Sequence, residues 1–280
     1  MKLDWRRLLA EEREREYSPS SCIGGNYQPY IHAYVEQSAA ARRLHPPTTI
    51  RYGPAERQTL DLFVPEGVAR PPMLVFFHGG YWQELSKQES AFAAPGCLAH
   101  GIAYAAVDYT LAPAATLSGI VEECRAAVAS LSRFDRLVVA GSSAGAHLAA
   151  MVALAADRRV KGAVLVSGIY DLEPLIGTSI DAALALDPAT AARNSPLRQA
   201  LEGFPPSLIC WGETETDQFK RQSGAFARAL HRAGSECAAF ECPGRNHFDV
   251  ILDLADPATP LGRRTLDLIQ SPRLRQVPTG

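Results

Sequence analysis

The chain has 280 residues, with 47% hydrophobic and 21% charged residues and a formal net charge of −2 at pH 7. That balance excludes wholesale disorder. It also offers no basic footprint for nucleic acid or for an anionic membrane surface. No run of 18 apolar residues occurs, so no transmembrane helix is expected, and the charged stretch from Met1 to Glu16 lacks the apolar core of a secretory signal. Six cysteines, at 22, 97, 124, 210, 237 and 242, form no C-x-x-C pair and no zinc spacing with histidine. They read as free thiols of a reducing compartment, which points to a cytoplasmic protein.

Residues 1–45 form a helical and loop segment ahead of a single domain at 46–280. Asp4 is placed to cap an amphipathic helix running through Glu16. Turn formers fill 18–26, and a second helix at 27–43 ends before His45-Pro46-Pro47. From residue 48 the chain alternates. Strands are predicted at 49–52, 59–64, 73–77, 103–108, 136–140, 162–167, 207–211 and 236–241. Helices are predicted at 89–100, 117–132, 144–156, 218–233 and 263–270. Continuous apolar runs such as Met73-Leu74-Val75-Phe76-Phe77 suit strands buried on both faces of a parallel sheet. The early strands lack intervening helices and are expected to pair antiparallel. The pattern gives the α/β class: one mostly parallel eight-stranded sheet with helices on both faces. Such a sheet places its ligand site at the carboxyl ends of its strands.

Gly141-Ser142-Ser143-Ala144-Gly145 is a G-x-S-x-G sequence between an apolar strand and a helix. That context makes Ser143 a candidate nucleophile, held exposed on a strained turn. A serine needs a base, and the base an orienting acid. Only His231 and His247 follow late enough. His231 lies in a helical stretch, whereas His247 lies in the loop after the last strand, where the base must come from. The acid is expected after the strand ending at Trp211, where Glu213, Glu215 and Asp217 all stand, and the residues alone barely separate them. Asp217 has a competing use as a helix cap. His78-Gly79-Gly80-Tyr81-Trp82 closes another buried strand, and the N–H groups of Gly79, Gly80 and Ala144 are candidates for an oxyanion hole. Tyr81 and Trp82 are candidate walls of an acyl or aryl pocket. His78 and Asp108 read as loop braces, and His147 as a core residue. Neither a metal-ligand cluster nor a phosphate loop is present in the sequence.

With these motifs in this order, the chain resembles the α/β-hydrolases with an oxyanion loop of the His-Gly-Gly type, and among them the kynurenine formamidase (arylformamidase) family. The resemblance extends through Tyr52-Gly53-Pro54, Lys161 to Leu172, Glu215 to Ser223 and His247-Phe248-Asp249. It implies the α/β-hydrolase fold, Ser143 as nucleophile, His247 as base and Glu215 as acid, with Asp217 the alternative. The oxyanion positions are Gly79, Gly80 and Ala144. Some relatives carry Asp at the acid position, so Glu215 is a departure. The implied reaction is hydrolysis of a small acyl amide of an aryl amine such as N-formylkynurenine, with no cofactor or metal; residues 1–45, part of which has no counterpart in the resemblance, are expected to cover the site. The implied partner is a small-molecule aryl formamide or ester; a homodimer is compatible with the chain. The alternative is a carboxylesterase or an amide or carbamate hydrolase acting on a specialised metabolite. A non-catalytic binding protein of the same fold would be expected to lack a triad member, and Ser143, His247 and an acid are all present.

Overall fold

The computed structural model describes residues 4–271. Its centre is an eight-stranded sheet: β1 (Thr48–Arg51), β2 (Thr59–Phe63), β3 (Met73–Phe77), β4 (Ala103–Val107), β5 (Leu137–Ser142), β6 (Val160–Val166), β7 (Ser207–Thr214) and β8 (Cys237–Asn246). The strand order is β1-β2-β4-β3-β5-β6-β7-β8. β1 with β2 and β2 with β4 are antiparallel, and every later pairing is parallel. All eight strands fall where the sequence predicts them.

The continuous apolar runs follow from two-sided burial. Along β3, Met73, Val75 and Phe77 pack into the core on one face, while Leu74 and Phe76 enter the core on the other. One face is covered by α4 (Leu117–Ser130), α5 (Ala144–Ala153) and α8 (Asp217–Arg232), and the other by α2 (Gln28–Leu44), α3 (Ala94–Ala99) and α9 (Pro260–Gln270). Fully burying each Leu, Val or Phe stabilises the fold by about 1.5–3 kcal/mol, and a polar residue is held in the sheet only where partners satisfy it, as at Asp61 of β2. Among the described residues no helix is long and apolar enough to cross a membrane.

Three helical expectations are modified. The single helix expected from Asp4 to Glu16 is split into a 3₁₀ turn, Trp5–Arg7, and α1, Ala10–Glu16. Asp4 caps the first, and the Glu12 carboxylate accepts from the Leu9 N–H at 2.8 Å, restarting the helix. The helix expected at 89–100 is shortened to α3, because Pro95 fits only a first helical turn; a 3₁₀ turn, Lys87–Glu89, precedes it. Between β6 and β7, where no element is expected, the chain makes the short helices α6 (Asp181–Leu184) and α7 (Pro188–Arg193) and two 3₁₀ turns. These pieces are too short to display a helical period.

The N-terminal segment is tied to the sheet through a buried ionic cluster. Arg42 of α2 pairs with Asp61 of β2, which also accepts from Lys87 Nζ at 2.9 Å and Thr49 Oγ1 at 2.7 Å. Burial alone would raise the Asp61 carboxyl, but the Lys87 and Thr49 donors and the Arg42 charge outweigh it and hold it below the usual carboxylate range.

Candidate active site

β5 ends in a sharp turn into α5. Ser143 sits at its apex with φ 56° and ψ −120°, a conformation that costs about 1–3 kcal/mol and is held by its surroundings. The flanking glycines are required by space. A Cβ on Gly141 would collide with the Gly145 backbone, and one on Gly145 would collide with the carbonyls of Phe77 and His78. The Ser143 N–H donates to Val166 O at 2.8 Å, fixing the turn to β6. Ala144 is the first residue of α5, so its N–H has no acceptor within the helix.

The loop after β3 lies against this turn. A Cβ on Gly79 would stand 2.9 Å from Ser142 O and 3.5 Å from Ser143 Cβ. Gly80 has φ +89° and accepts from the N–H groups of Gln83 and Glu84. His78 braces the loop from within: its ring stacks on Tyr109 at 4.1 Å, and the Tyr109 hydroxyl donates to His78 O at 2.9 Å. Asp108, 3.5 Å from His78 Nε2, is itself paired with Arg57 at 2.7 Å.

His247 follows β8 directly and is 5% exposed. Its loop is tightened by Asn246 Oδ1, which accepts from the Phe248 N–H at 2.8 Å, and its ring meets Phe219 edge-on at 4.5 Å. His247 Nδ1 lies 3.1 Å from Glu215 Oε2. The other oxygen of that carboxylate accepts from the Gly212 N–H at 2.6 Å and the Ser167 hydroxyl at 2.5 Å. Glu215 is buried, whereas Asp217 is exposed at the first position of α8. Glu213 is exposed as well and accepts from the Gly244 N–H. The separation of the three arises at a break in the β7–β8 register between Gly212 and Thr214, beyond which Glu215 meets the imidazole.

Ser143, His247, Gly79 and Gly80 line one cavity of about 320 Å³. Tyr81 also lines it, and its hydroxyl donates to Tyr17 O. Trp82 does not. The expectation that it walls the pocket is corrected, because its indole is fully buried and donates to His147 Nδ1 at 3.2 Å. Tyr81 and Trp82 both have positive φ, 48° and 58°, which turns the chain sharply and sends neighbouring side chains apart. His147 is a core residue whose Nε2 meets Asn194 O at 2.7 Å; burial pushes its pKa down to about 4, so the ring is neutral.

Several lining residues have no motif to announce them: Tyr17, Tyr27 and Tyr34 of the N-terminal segment, and Phe92. Ser167 lies within the resemblance stretch Lys161 to Leu172 but is given no role there, although its place straight after β6 is where this kind of sheet puts functional groups.

A family model for the α/β-hydrolase fold matches residues 74–250. The chain belongs to the α/β-hydrolase family. This α/β-hydrolase is 34% identical to kynurenine formamidase of Danio rerio, over 95% of its own length and 98% of that protein's. It is 33% identical to kynurenine formamidase of Salmo salar, over 90% and 94% of the two chains. It therefore groups with the kynurenine formamidase-like members and is a hydrolase enzyme. Esterase LipQ of Mycobacterium tuberculosis is 27% identical over 78% of this chain and 65% of that one. Among solved structures, a Silicibacter sp. TM1040 protein superposes with a TM-score of 0.80 at 28% identity, covering 89% and 96% of the two chains. An esterase of Pyrobaculum calidifontis shares the fold, with a TM-score of 0.71 at 23% identity over 89% and 93%.

Proposed function

We propose that this hydrolase removes the formyl group from an aryl formamide of the N-formylkynurenine type through an acyl-enzyme. The observation that carries the proposal is the buried Glu215–His247 pair, with His247 lining one cavity together with Ser143. Glu215 holds the imidazole with its proton on Nδ1, leaving Nε2 free to accept. Ser143 Oγ attacks the formyl carbon, and its proton passes to His247 Nε2. The oxyanion is met by the N–H groups of Gly79, Gly80 and Ala144. The C–N bond then breaks, His247 protonates the departing aryl amine, and formyl-Ser143 remains. Water attacks that ester, giving its proton to His247, and formate leaves as Ser143 regains the proton. The described part of the N-terminal segment, residues 4–45, serves as the cover of the site, with Tyr17 and Tyr34 in its wall. The named function of the Danio and Salmo relatives supports the formamide as substrate.

The similarity to esterase LipQ favours one second reading, a carboxylesterase using the same residues. Turnover of N-formylkynurenine and of 4-nitrophenyl acetate by the purified protein separates the two. A formamide kcat/KM at or above about 10⁴ M⁻¹s⁻¹ is expected. Turnover of the ester alone selects the esterase, and turnover of neither overturns both.

A further inference from the structure

The catalytic cavity carries a charge signature that none of the triad chemistry needs. Among the described residues lining it, the formally charged ones are Glu84 and Glu89, and none is Lys or Arg. The nearby Lys87 is turned away onto Asp61. The two carboxylates differ in setting. Glu84 is exposed, whereas Glu89 is half-buried. Glu89 belongs to the segment that carries Phe92, whose ring meets Tyr34 at 5.8 Å; Tyr27 stacks on Phe248 at 5.4 Å and 10°. All four rings line the cavity. One Glu89 oxygen accepts from the Ser86 hydroxyl at 2.8 Å, which fixes the carboxylate and leaves its other oxygen for a further donor. A carboxylate lining a cavity walled by aromatic rings attracts a cation and repels an anion more strongly than it would in water, and the rings themselves favour a cation.

We propose that Glu89 is a specificity-determining residue that recognises a substrate ammonium group. This hydrolase then takes aryl formamides or esters bearing a positive charge in preference to those bearing a negative one. For the substrate the inference rests on the function proposed above. N-formylkynurenine carries both an ammonium and a carboxylate, and the described lining of the cavity offers an oppositely charged partner for the ammonium alone. Its decarboxylated amine is therefore turned over at least as well as the amino acid, and its deaminated acid poorly.

The test compares kcat/KM for three phenyl acetates with para aminomethyl, methyl and carboxymethyl groups, each normalised to its hydroxide-catalysed rate, alongside N-formylkynurenine and its amine and acid analogues. Wild-type protein is expected to prefer the cationic over the anionic acetate by about 30-fold, and Glu89→Gln to lower the cation-to-neutral ratio about tenfold. Glu84→Gln, screened at the rim, should move that ratio less than about threefold. Inhibition of wild-type turnover by benzylammonium against phenylacetate gives the same ranking without any variant. Equal or better turnover of the anion, or an unmoved ratio in Glu89→Gln, overturns the assignment. Cation preference without formamide turnover keeps Glu89 and removes the formamide reading. Formamide turnover without charge preference does the reverse.

Discussion

Replacing Glu215 by Gln tests the orientation of the base with almost no change in volume. In the native site one carboxylate oxygen accepts from the Gly212 N–H and the Ser167 hydroxyl, and the other faces His247 Nδ1. The Gly212 N–H cannot turn into an acceptor, so the Gln oxygen must occupy its side, and the NH₂ group then faces His247. The imidazole can meet that NH₂ only with Nδ1 unprotonated, which puts its proton on Nε2 and removes the base from Ser143. A wrong-tautomer triad loses about 10⁴ in kcat, or about 5 kcal/mol of transition-state stabilisation. The assay is nitrophenolate release from 4-nitrophenyl acetate under saturating conditions, with a thermal melt to show that the variant is folded. Asp217→Asn is the control; its side chain is exposed on α8, and less than about threefold is expected. A Glu215→Gln enzyme within tenfold of wild type, or a larger loss from Asp217→Asn, would refute the assignment. Ser167→Ala should fall between, at about tenfold, because it removes one of the two donors to the Oε1 oxygen of the carboxylate.

Ser143→Ala and His247→Ala should each abolish nearly all turnover, and the double variant should lose little more, because triad members act as a unit; additive losses would argue that the two act separately. Gly145→Ala drives a methyl into the carbonyls of Phe77 and His78. Loss of more than about 4 kcal/mol is expected, and a soluble variant melting near wild type would show that the turn has slack. His147 is neutral in the folded state, with its pKa pushed from 6.5 to about 4 by burial. Its contribution is complete above pH 6.5 and is lost as the pH falls towards 4, because the unfolded chain binds the proton first. Urea unfolding should show wild type losing about 3 kcal/mol more than His147→Gln over that interval; parallel curves for the two proteins would exclude the buried imidazole as the cause.

Local signals were enough for all eight strands, most directly for the central ones, where burial on both faces requires apolar residues at successive positions, as from Met73 to Phe77. They were also enough to single out Ser143 and His247, since each stands straight after a strand with its own turn residues around it. The helix starts were less legible. Glu12 reaching back to Leu9 and Pro95 opening α3 decide where a helix begins, and an apolar period does not record either event.

The order of residues along the chain determined the sheet, the turn between Gly141 and Gly145 that holds Ser143, and the loop after β8 that carries His247. Only the tertiary structure decided which of three nearby carboxylates meets His247, that Trp82 belongs to the core, and that Tyr17, Tyr34 and Glu89 share a cavity with Ser143. The first group depends on strand periodicity and turn sterics within a few residues. The second depends on a register break between β7 and β8 and on a segment that returns from far along the chain, and neither leaves a mark on the neighbouring sequence.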